Sequence, residues 1–116
     1  MSKRRQRQYQ TDVIEALHAV LNGCCYLCGC SLTKKGITKD HVFPRSEGYS
    51  IGSNMMPAHS NCNLEKGSRF PTHEEIEIAI QAYDAIGKIF NPHLPNDCKL
   101  MTKPLEFYIH SLKEAA

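Results

Sequence analysis

The chain has 116 residues, of which 41% are hydrophobic and 22% charged, and its formal net charge is +2. This length and balance are typical of one soluble domain with a modest core. No apolar stretch approaches the length of a membrane span, and the basic first residues are not followed by the apolar run of a secretory signal. We therefore expect no membrane partner and a cytoplasmic, reducing environment.

Charge is distributed unevenly along the chain. Residues 1–11 hold four basic residues and no acid, residues 30–70 have a net charge of +3, and residues 71–116 have a net charge of −3. We predict that residues 1–10 form a flexible basic tail, to which a polyanion such as DNA would be attracted. The alternative is a solvated tail that only aids solubility. The basic residues of this tail are Lys3, Arg4, Arg5 and Arg7.

The first predicted element is a helix over residues 11–22. Val13, Leu17 and other apolar residues recur there at helical spacing, and Gly23 provides a stop. Residues 24–32 then form a knuckle, which is a tight turn that offers cysteine thiolates. We expect the helix to pack on the site that this knuckle builds.

Two short strands and a helix follow the knuckle. Loose alternation before Pro44 predicts a strand over about 36–42, and an apolar segment over 54–58 predicts the returning strand. Residues 60–67 are expected to form a short helix that a glycine ends. Together these elements predict a compact ββα unit over about 36–67.

The last part of the chain, residues 72–116, is predicted to be largely helical. Thr72 and Glu75 form a capping box for a second long helix with an apolar stripe. A final helix over 104–115 has a proline in its first turn. We assign residues 11–116 to one domain. The stripe of the second long helix consists of Ile76, Ala79, Ile80, Tyr83, Ile86, Gly87 and Phe90.

Six cysteines could form a disulfide framework in a small secreted domain, but the sequence shows no secretory signal and four of them crowd into residues 24–30. A Cys-x-x-Cys pair in a reducing compartment is more typical of a metal site. Cys25 and Cys28 have this spacing, and His59 and Cys62 repeat it. A helix that begins at His59 would place both side chains of the second pair on one face.

These four residues predict a Cys₃His zinc site. Cys24 and Cys30 are competing ligands with a poorer spacing. The alternative interpretation is that the knuckle cysteines are small buried hydrophobes. The stretch between Cys28 and His59 is longer than a usual zinc-ribbon loop, so we expect it to carry a further function.

The stretch between and just after the two ligand pairs carries a dense set of polar residues and glycines. In order, the chain reads Cys25-x-x-Cys28-Gly29, Lys39-Asp40-His41-Val42-x-Pro44, Gly48, and Asn54-Met55-Met56-Pro57-Ala58-His59-x-x-Cys62-Asn63-x-x-Lys66-Gly67. In these motifs, over residues 25–67, the chain resembles the HNH endonuclease family of the ββα-metal type. It differs from the family pattern at His59, where cysteine is common, and at Gly48, where a pair of glycines is common.

The resemblance implies a fold and a role for each polar residue. The fold would be α+β, with a small ββα-metal core and a zinc clip flanked by an N-terminal helix and two C-terminal helices. Asp40 and Asn63 would bind the catalytic divalent ion, His41 would be the general base that activates water, and Asn54 would fix the His41 ring. Taken singly, these residues could equally be a surface histidine and turn or cap residues.

The chemistry of these residues agrees with the implied roles. The unperturbed histidine pKa of about 6.5 suits a neutral base near pH 7. Oxygen ligands from Asp and Asn suit Mg²⁺ or Mn²⁺ as the catalytic cofactor, beside a structural Zn²⁺. Arg45, Lys66 and Arg69 lie close to this centre in sequence, and either hold flanking phosphates or are solvated.

We therefore predict a metal-dependent endonuclease that hydrolyses DNA phosphodiester bonds, by nicking or by cutting both strands. The alternative is a non-catalytic, zinc-containing nucleic-acid-binding module. A third interpretation is an adaptor whose acidic C-terminal helices dock a protein partner. The small size and basic tail are compatible with a phage or mobile-element nuclease. The sequence leaves open the target, the preference for DNA or RNA and the oligomeric state.

Overall fold

The computed structural model describes residues 3–47, 49 and 53–92 of the chain. In this part the fold is a mixed α+β arrangement of three α-helices and a two-stranded antiparallel sheet, as the sequence predicts. The elements, in chain order, are α1 (Lys3–Val20), β1 (Thr38–His41), β2 (Met55–Ala58), α2 (Ser60–Lys66) and α3 (His73–Ala85). The predicted ββα unit is therefore the run β1-β2-α2.

Helix α1 includes residues 3–10, which the sequence analysis had assigned to a flexible tail. These residues are mostly arginine, lysine and glutamine, whose unbranched side chains lose little freedom in a helix, so they extend a helix that is anchored further along. Asp12 lies inside this helix and accepts a hydrogen bond from Gln8 at 3.0 Å. Ile14 and Leu17 anchor α1 in the core, where the helix packs on β2 and α3.

The sheet pairs Thr38 with Ala58 and His41 with Met55. All four residues of β2 are buried. Pro57 has no N–H to donate, which is tolerated because both strands of a two-stranded sheet are edge strands. The carbonyl of Pro57 accepts a hydrogen bond from the N–H of Tyr26 at 3.2 Å. The knuckle is therefore docked along the outer edge of β2.

The loop after β1 is held by Asn54, which is fully buried. Its side chain accepts the N–H of Phe43 and donates to the carbonyl of Phe43, both at 2.9 Å. Its own carbonyl accepts the N–H of Val42 at 2.8 Å. The Phe43 ring then packs near Phe90, with ring centroids 6.2 Å apart. These contacts fix the direction of the chain immediately after His41.

Helix α3 begins at the predicted capping box. The Thr72 hydroxyl accepts the N–H of Glu75 at 3.2 Å, and the Glu75 carboxylate accepts the N–H of Thr72 at 2.9 Å. The helix ends at Ala85, earlier than the apolar stripe predicted, because Gly87 takes a left-handed φ of 73°. Phe90 is buried nevertheless, from the segment that follows the helix.

The final predicted helix, over 104–115, lies outside the described residues. Of the three helices described, none has both the length and the apolar composition that crossing a membrane requires.

Candidate functional site

Four metal-ligating side chains converge where the knuckle meets the start of α2. The ligand atoms of Cys25, Cys28, His59 and Cys62 all lie within 4.8 Å of one another. The Nδ1 atom of His59 is 3.4 Å from the sulfur of Cys28 and 3.8 Å from that of Cys62. Zn–S and Zn–N bonds of about 2.3 and 2.0 Å at tetrahedral angles separate such atoms by about 3.6 Å, so this spacing fits one zinc ion.

Hydrogen bonds orient the ligands of this Cys₃His cluster. The His59 ring donates through Nε2 to the carbonyl of Ser31 at 2.8 Å, which leaves Nδ1 unprotonated and free for a metal. The sulfur of Cys25 accepts the N–H of His59 at 3.4 Å. The sulfur of Cys28 accepts the N–H of Cys30 at 3.4 Å, and this bond lowers the pKa of the Cys28 thiol. The four residues could therefore hold a metal ion, and their donor set is consistent with zinc.

The two competing cysteines stand apart from the cluster. The thiol of Cys24 points at the carbonyl of Asn22, at 3.7 Å, and the thiol of Cys30 points at the carbonyl of Cys28, at 3.9 Å. Neither belongs to the group of converging ligand atoms among the described residues. The two-residue spacing therefore selected the converging pairs correctly.

A buried charge cluster lies beside the Cys₃His cluster, between the knuckle, β1 and α2. Asp40 of β1 is 3% exposed and Lys66 of α2 is 5% exposed. The Nζ atom of Lys66 is 3.3 Å from Asp40 Oδ2 and donates to the carbonyl of His41 at 2.9 Å. The hydroxyl of Tyr26 donates to the same carboxylate oxygen, Oδ2. We refer to Tyr26, Asp40 and Lys66 as the Asp40 cluster.

The members of the Asp40 cluster compensate for burial of the carboxylate. Burial raises the pKa of Asp40, whereas the hydrogen bond from Tyr26 and the charge of Lys66 oppose that rise. Burial also raises the pKa of Tyr26 far above its ordinary value, so this hydroxyl is a hydrogen-bond donor. An ionised carboxylate without such partners would be very costly to remove from water.

His41 is the last residue of β1 and is partly buried. Its Nε2 atom is buried and has no hydrogen-bond partner among the described residues. Burial lowers the pKa of His41 against the opposing charge of Asp40, and the charges of Arg45 and Lys66 lower it further. The imidazole is therefore neutral near pH 7, with one ring nitrogen unused by the protein.

Asn63 lies on the side of α2 that faces β1. Its Nδ2 atom donates to the hydroxyl of Thr38 at 3.4 Å. Thr38 and Asp40 are alternate residues of β1, so they share one face of the strand. Asn63 and Lys66 therefore approach the face that carries Asp40. The Oδ1 atoms of Asn63 and Asp40 make no hydrogen bond to any described residue.

Comparison with known protein families agrees with this geometry. The family model for HNH endonucleases matches residues 25–69. This HNH segment contains both ligand pairs, β1, β2 and α2, so the resemblance inferred from the sequence is confirmed. Neither the curated proteins nor the solved structures compared with the chain gave a significant match.

The predicted phosphate-binding residues of the HNH segment have different environments. Lys66 requires a correction: its ammonium is buried against Asp40, so it is not available to a flanking phosphate. Arg69 is exposed, but it forms a two-pronged ion pair with Glu75 at 3.1 and 3.0 Å. Arg45 is exposed in a short 3-10 turn after β1. The basic residues outside the segment, Lys3, Arg4, Arg5 and Arg7, lie in the first two turns of α1.

Tyr26, Thr38 and Ser31 belong to the site but were not singled out from the sequence. The sequence contains one indication that Tyr26 belongs to the site. It lies between two candidate zinc ligands, so it must be close to whatever the knuckle contacts. Its partner could not be read from the sequence, since Asp40 reaches it only after β1 docks on the knuckle. Thr38 and Ser31 act through a hydroxyl and a carbonyl that many residue types could supply.

Removal of a predicted zinc ligand is expected to unfold the HNH segment. Cys62→Ala should lose zinc and melt at a much lower temperature, because structural zinc contributes on the order of 10 kcal/mol in small domains, compared with a domain stability of about 5–15 kcal/mol. Metal content measured by mass spectrometry and thermal unfolding followed by circular dichroism would check this. Cys24→Ala and Cys30→Ala are matched controls that should keep one zinc per chain. A metal-free Cys62→Ala protein with the wild-type melting temperature would contradict the assignment.

Removal of the buried ammonium of Lys66 is expected to destabilise the fold. Lys66→Met should lower the free energy of unfolding by roughly 3–5 kcal/mol, because it leaves the buried charge of Asp40 without its cation. Lys34→Met, at an exposed position, is the control and should change stability by less than about 0.5 kcal/mol. The double variant Asp40→Asn/Lys66→Met should recover part of the loss. Urea unfolding measures all three, and a Lys66→Met protein as stable as the wild type would show that the pair is not buried as described.

Proposed function

We propose that the protein is a metal-dependent HNH endonuclease that hydrolyses phosphodiester bonds in DNA, by nicking or by cutting both strands. The observation that carries this proposal is the arrangement of Asp40 and His41 on β1, against the α2 helix that bears Asn63, beside a Cys₃His cluster. A purely structural zinc module would have no use for a buried carboxylate next to a neutral, partly buried imidazole. The family match over residues 25–69 supports the same reading.

His41 is the proposed general base. Its lowered pKa keeps the ring neutral, and its Nε2 atom has no partner among the described residues. A neutral imidazole nitrogen of this kind can accept the proton of a water molecule that attacks the phosphorus. Asn54 is the proposed positioning residue, because it binds both backbone polar groups of Phe43 and so fixes the chain that follows His41.

Asp40 and Asn63 are the proposed ligands of a catalytic divalent ion. Each offers one oxygen that no described residue occupies, and oxygen donors of this type suit Mg²⁺ or Mn²⁺. When bound, such an ion would stabilise negative charge on the phosphate and on the leaving oxygen. The ammonium of Lys66 already neutralises part of the Asp40 charge, so we expect the affinity for the free ion to be modest.

The basic first turns of α1 are the proposed contact to the DNA backbone. Cations in the first turn of a helix oppose the positive end of its dipole, each by about 0.3–1 kcal/mol. A polyanion bound there would relieve this repulsion while it gains the attraction to the side-chain charges. Arg45 is the proposed phosphate contact closest to His41, because it is exposed and its charge acts on the His41 ring.

The second candidate function is a non-catalytic, zinc-containing nucleic-acid-binding module. The observation that favours it is the ion pair between Asp40 and Lys66, which already satisfies the carboxylate without a divalent ion. Docking of a protein partner on the acidic C-terminal third remains a further proposal, and much of that third lies outside the described residues.

Substitution of the proposed base is expected to distinguish an endonuclease from a non-catalytic nucleic-acid-binding module. His41→Ala should slow plasmid cleavage by about 10²–10⁴-fold, the usual contribution of proton transfer by a side chain, and should keep zinc and DNA binding. His73→Ala is the matched control, because His73 pairs with Glu77 on α3 outside the HNH segment. Divalent ions are best omitted rather than chelated, since a chelator would also remove zinc. Cleavage by His41→Ala at the wild-type rate would leave the non-catalytic module as the better account.

We expect the cleavage activity of Asn63→Ala to respond to added metal ion differently from that of His41→Ala. Because Asn63 is a proposed ligand of the divalent ion, raising Mg²⁺ or Mn²⁺ should restore part of its lost activity. No concentration of either ion should restore His41→Ala to the wild-type rate. Plasmid cleavage measured across a metal titration compares both variants, and identical metal responses would argue against the role of Asn63.

Neutralisation of the basic turns of α1 is expected to weaken DNA binding and its salt dependence. Replacing Lys3, Arg4, Arg5 and Arg7 with Gln keeps good helix formers and should reduce the slope of log affinity against log salt by about 0.9 for each lost phosphate contact. Fluorescence anisotropy with duplex DNA, in a His41→Ala background, measures the slope. Lys34→Gln/Lys35→Gln is the control for loss of positive charge elsewhere. An unchanged slope would exclude α1 from the interface.

A further inference from the structure

Tyr26 connects the two clusters of the site. It lies in the chain between the zinc ligands Cys25 and Cys28, so its backbone can move little once these thiolates hold a metal. Its N–H donates to the carbonyl of Pro57 at 3.2 Å, which fixes the knuckle to β2. The residue is 4% exposed, and its ring belongs to the hydrophobic core. The backbone and ring of Tyr26 are therefore held independently of its hydroxyl.

The hydroxyl of Tyr26 reaches the proposed ligand of the divalent ion. It donates to Oδ2 of Asp40, the same oxygen that faces Lys66 Nζ at 3.3 Å. Tyr26 and Lys66 thus contact the same oxygen of the carboxylate, Oδ2. The other oxygen, Oδ1, makes no hydrogen bond to a described residue. A carboxylate fixed in this way cannot rotate freely, and the oxygen that it can offer to an ion is Oδ1.

We propose that Tyr26 is a positioning residue that orients Asp40 for the catalytic divalent ion and couples that ion to the Cys₃His cluster. This inference rests on the proposed role of Asp40 as an ion ligand. Partners of this kind, which hydrogen-bond to a ligand rather than to the metal, commonly change metal affinity or activity by about 10–100-fold when removed. The structural zinc then acts on catalysis at a distance, because it fixes the loop from which Tyr26 reaches Asp40.

The chain offers a matched pair of substitutions for the test. Tyr26→Phe removes the hydroxyl and keeps the buried ring. Tyr83→Phe removes a second buried hydroxyl, which donates to the carbonyl of Met55 at 2.7 Å and is not part of the site. Each variant removes a buried hydroxyl that donates a hydrogen bond, so Tyr83→Phe controls for a general loss of stability.

The measurement is the affinity of zinc-loaded protein for Mn²⁺, read from the free-ion signal in electron paramagnetic resonance. We expect Tyr26→Phe to weaken Mn²⁺ binding by about 10–100-fold, Tyr83→Phe to match the wild type, and Asp40→Asn to bind no Mn²⁺. In plasmid cleavage, Tyr26→Phe should need a correspondingly higher Mn²⁺ concentration and should approach the wild-type rate at saturation.

The inference would be overturned by wild-type Mn²⁺ affinity in Tyr26→Phe, by an equal loss of affinity in Tyr83→Phe, or by loss of zinc from Tyr26→Phe. Mn²⁺ binding that Asp40→Asn leaves unchanged, or its absence from the wild type, would overturn it as well. If instead Tyr26→Phe weakens Mn²⁺ binding as expected but no variant cleaves DNA, the wild type included, the inference stands and the proposed nuclease function fails.

Discussion

The Cys₃His cluster is the constraint on which the rest of the structure depends. A metal ion held by its four side chains would join the knuckle to the start of α2 and so close the part of the chain that carries β1 and β2. A two-stranded sheet is marginally stable at best by itself, and a chain of this size has one modest core. With the loop closed, the knuckle is bonded to β2 and α2 packs on β1. Asp40 then meets Tyr26 of the knuckle and Lys66 of α2.

Burial of Asp40 links the stability of the fold to the proposed function, because one carboxylate takes part in both. The carboxylate is kept from water by the same packing that holds β1, so it needs partners in the protein. Tyr26 and Lys66 supply them on a single oxygen. The arrangement costs desolvation energy that an apolar residue would avoid, and it leaves the second oxygen, Oδ1, for the proposed divalent ion. The proposed base differs, because His41 keeps a buried ring nitrogen with no partner among the described residues.

Local features of the site could be predicted from the sequence, whereas contacts between distant segments could not. The candidate zinc ligands form two pairs with a fixed local spacing, and the capping box of α3 also depends on neighbouring residues. The start of α1 was misjudged because a polar, basic composition suggests disorder, although arginine and glutamine favour helix once a helix is anchored. The end of α3 was misjudged because Phe90 is buried from beyond the helix, at a position that also fits the helical period.

The order and spacing of the motifs determined by themselves the α+β class, the four candidate zinc ligands and the resemblance to HNH endonucleases, since these depend on short-range chain geometry and on residue chemistry. Only the tertiary structure decided the partners of each charged group. Lys66, expected at a phosphate, is buried on Asp40, and Arg69 is paired with Glu75. The physical reason is that burial and ion pairing depend on which surfaces meet once the knuckle, the sheet and α2 have packed together, and the spacing of residues along the chain does not contain that information.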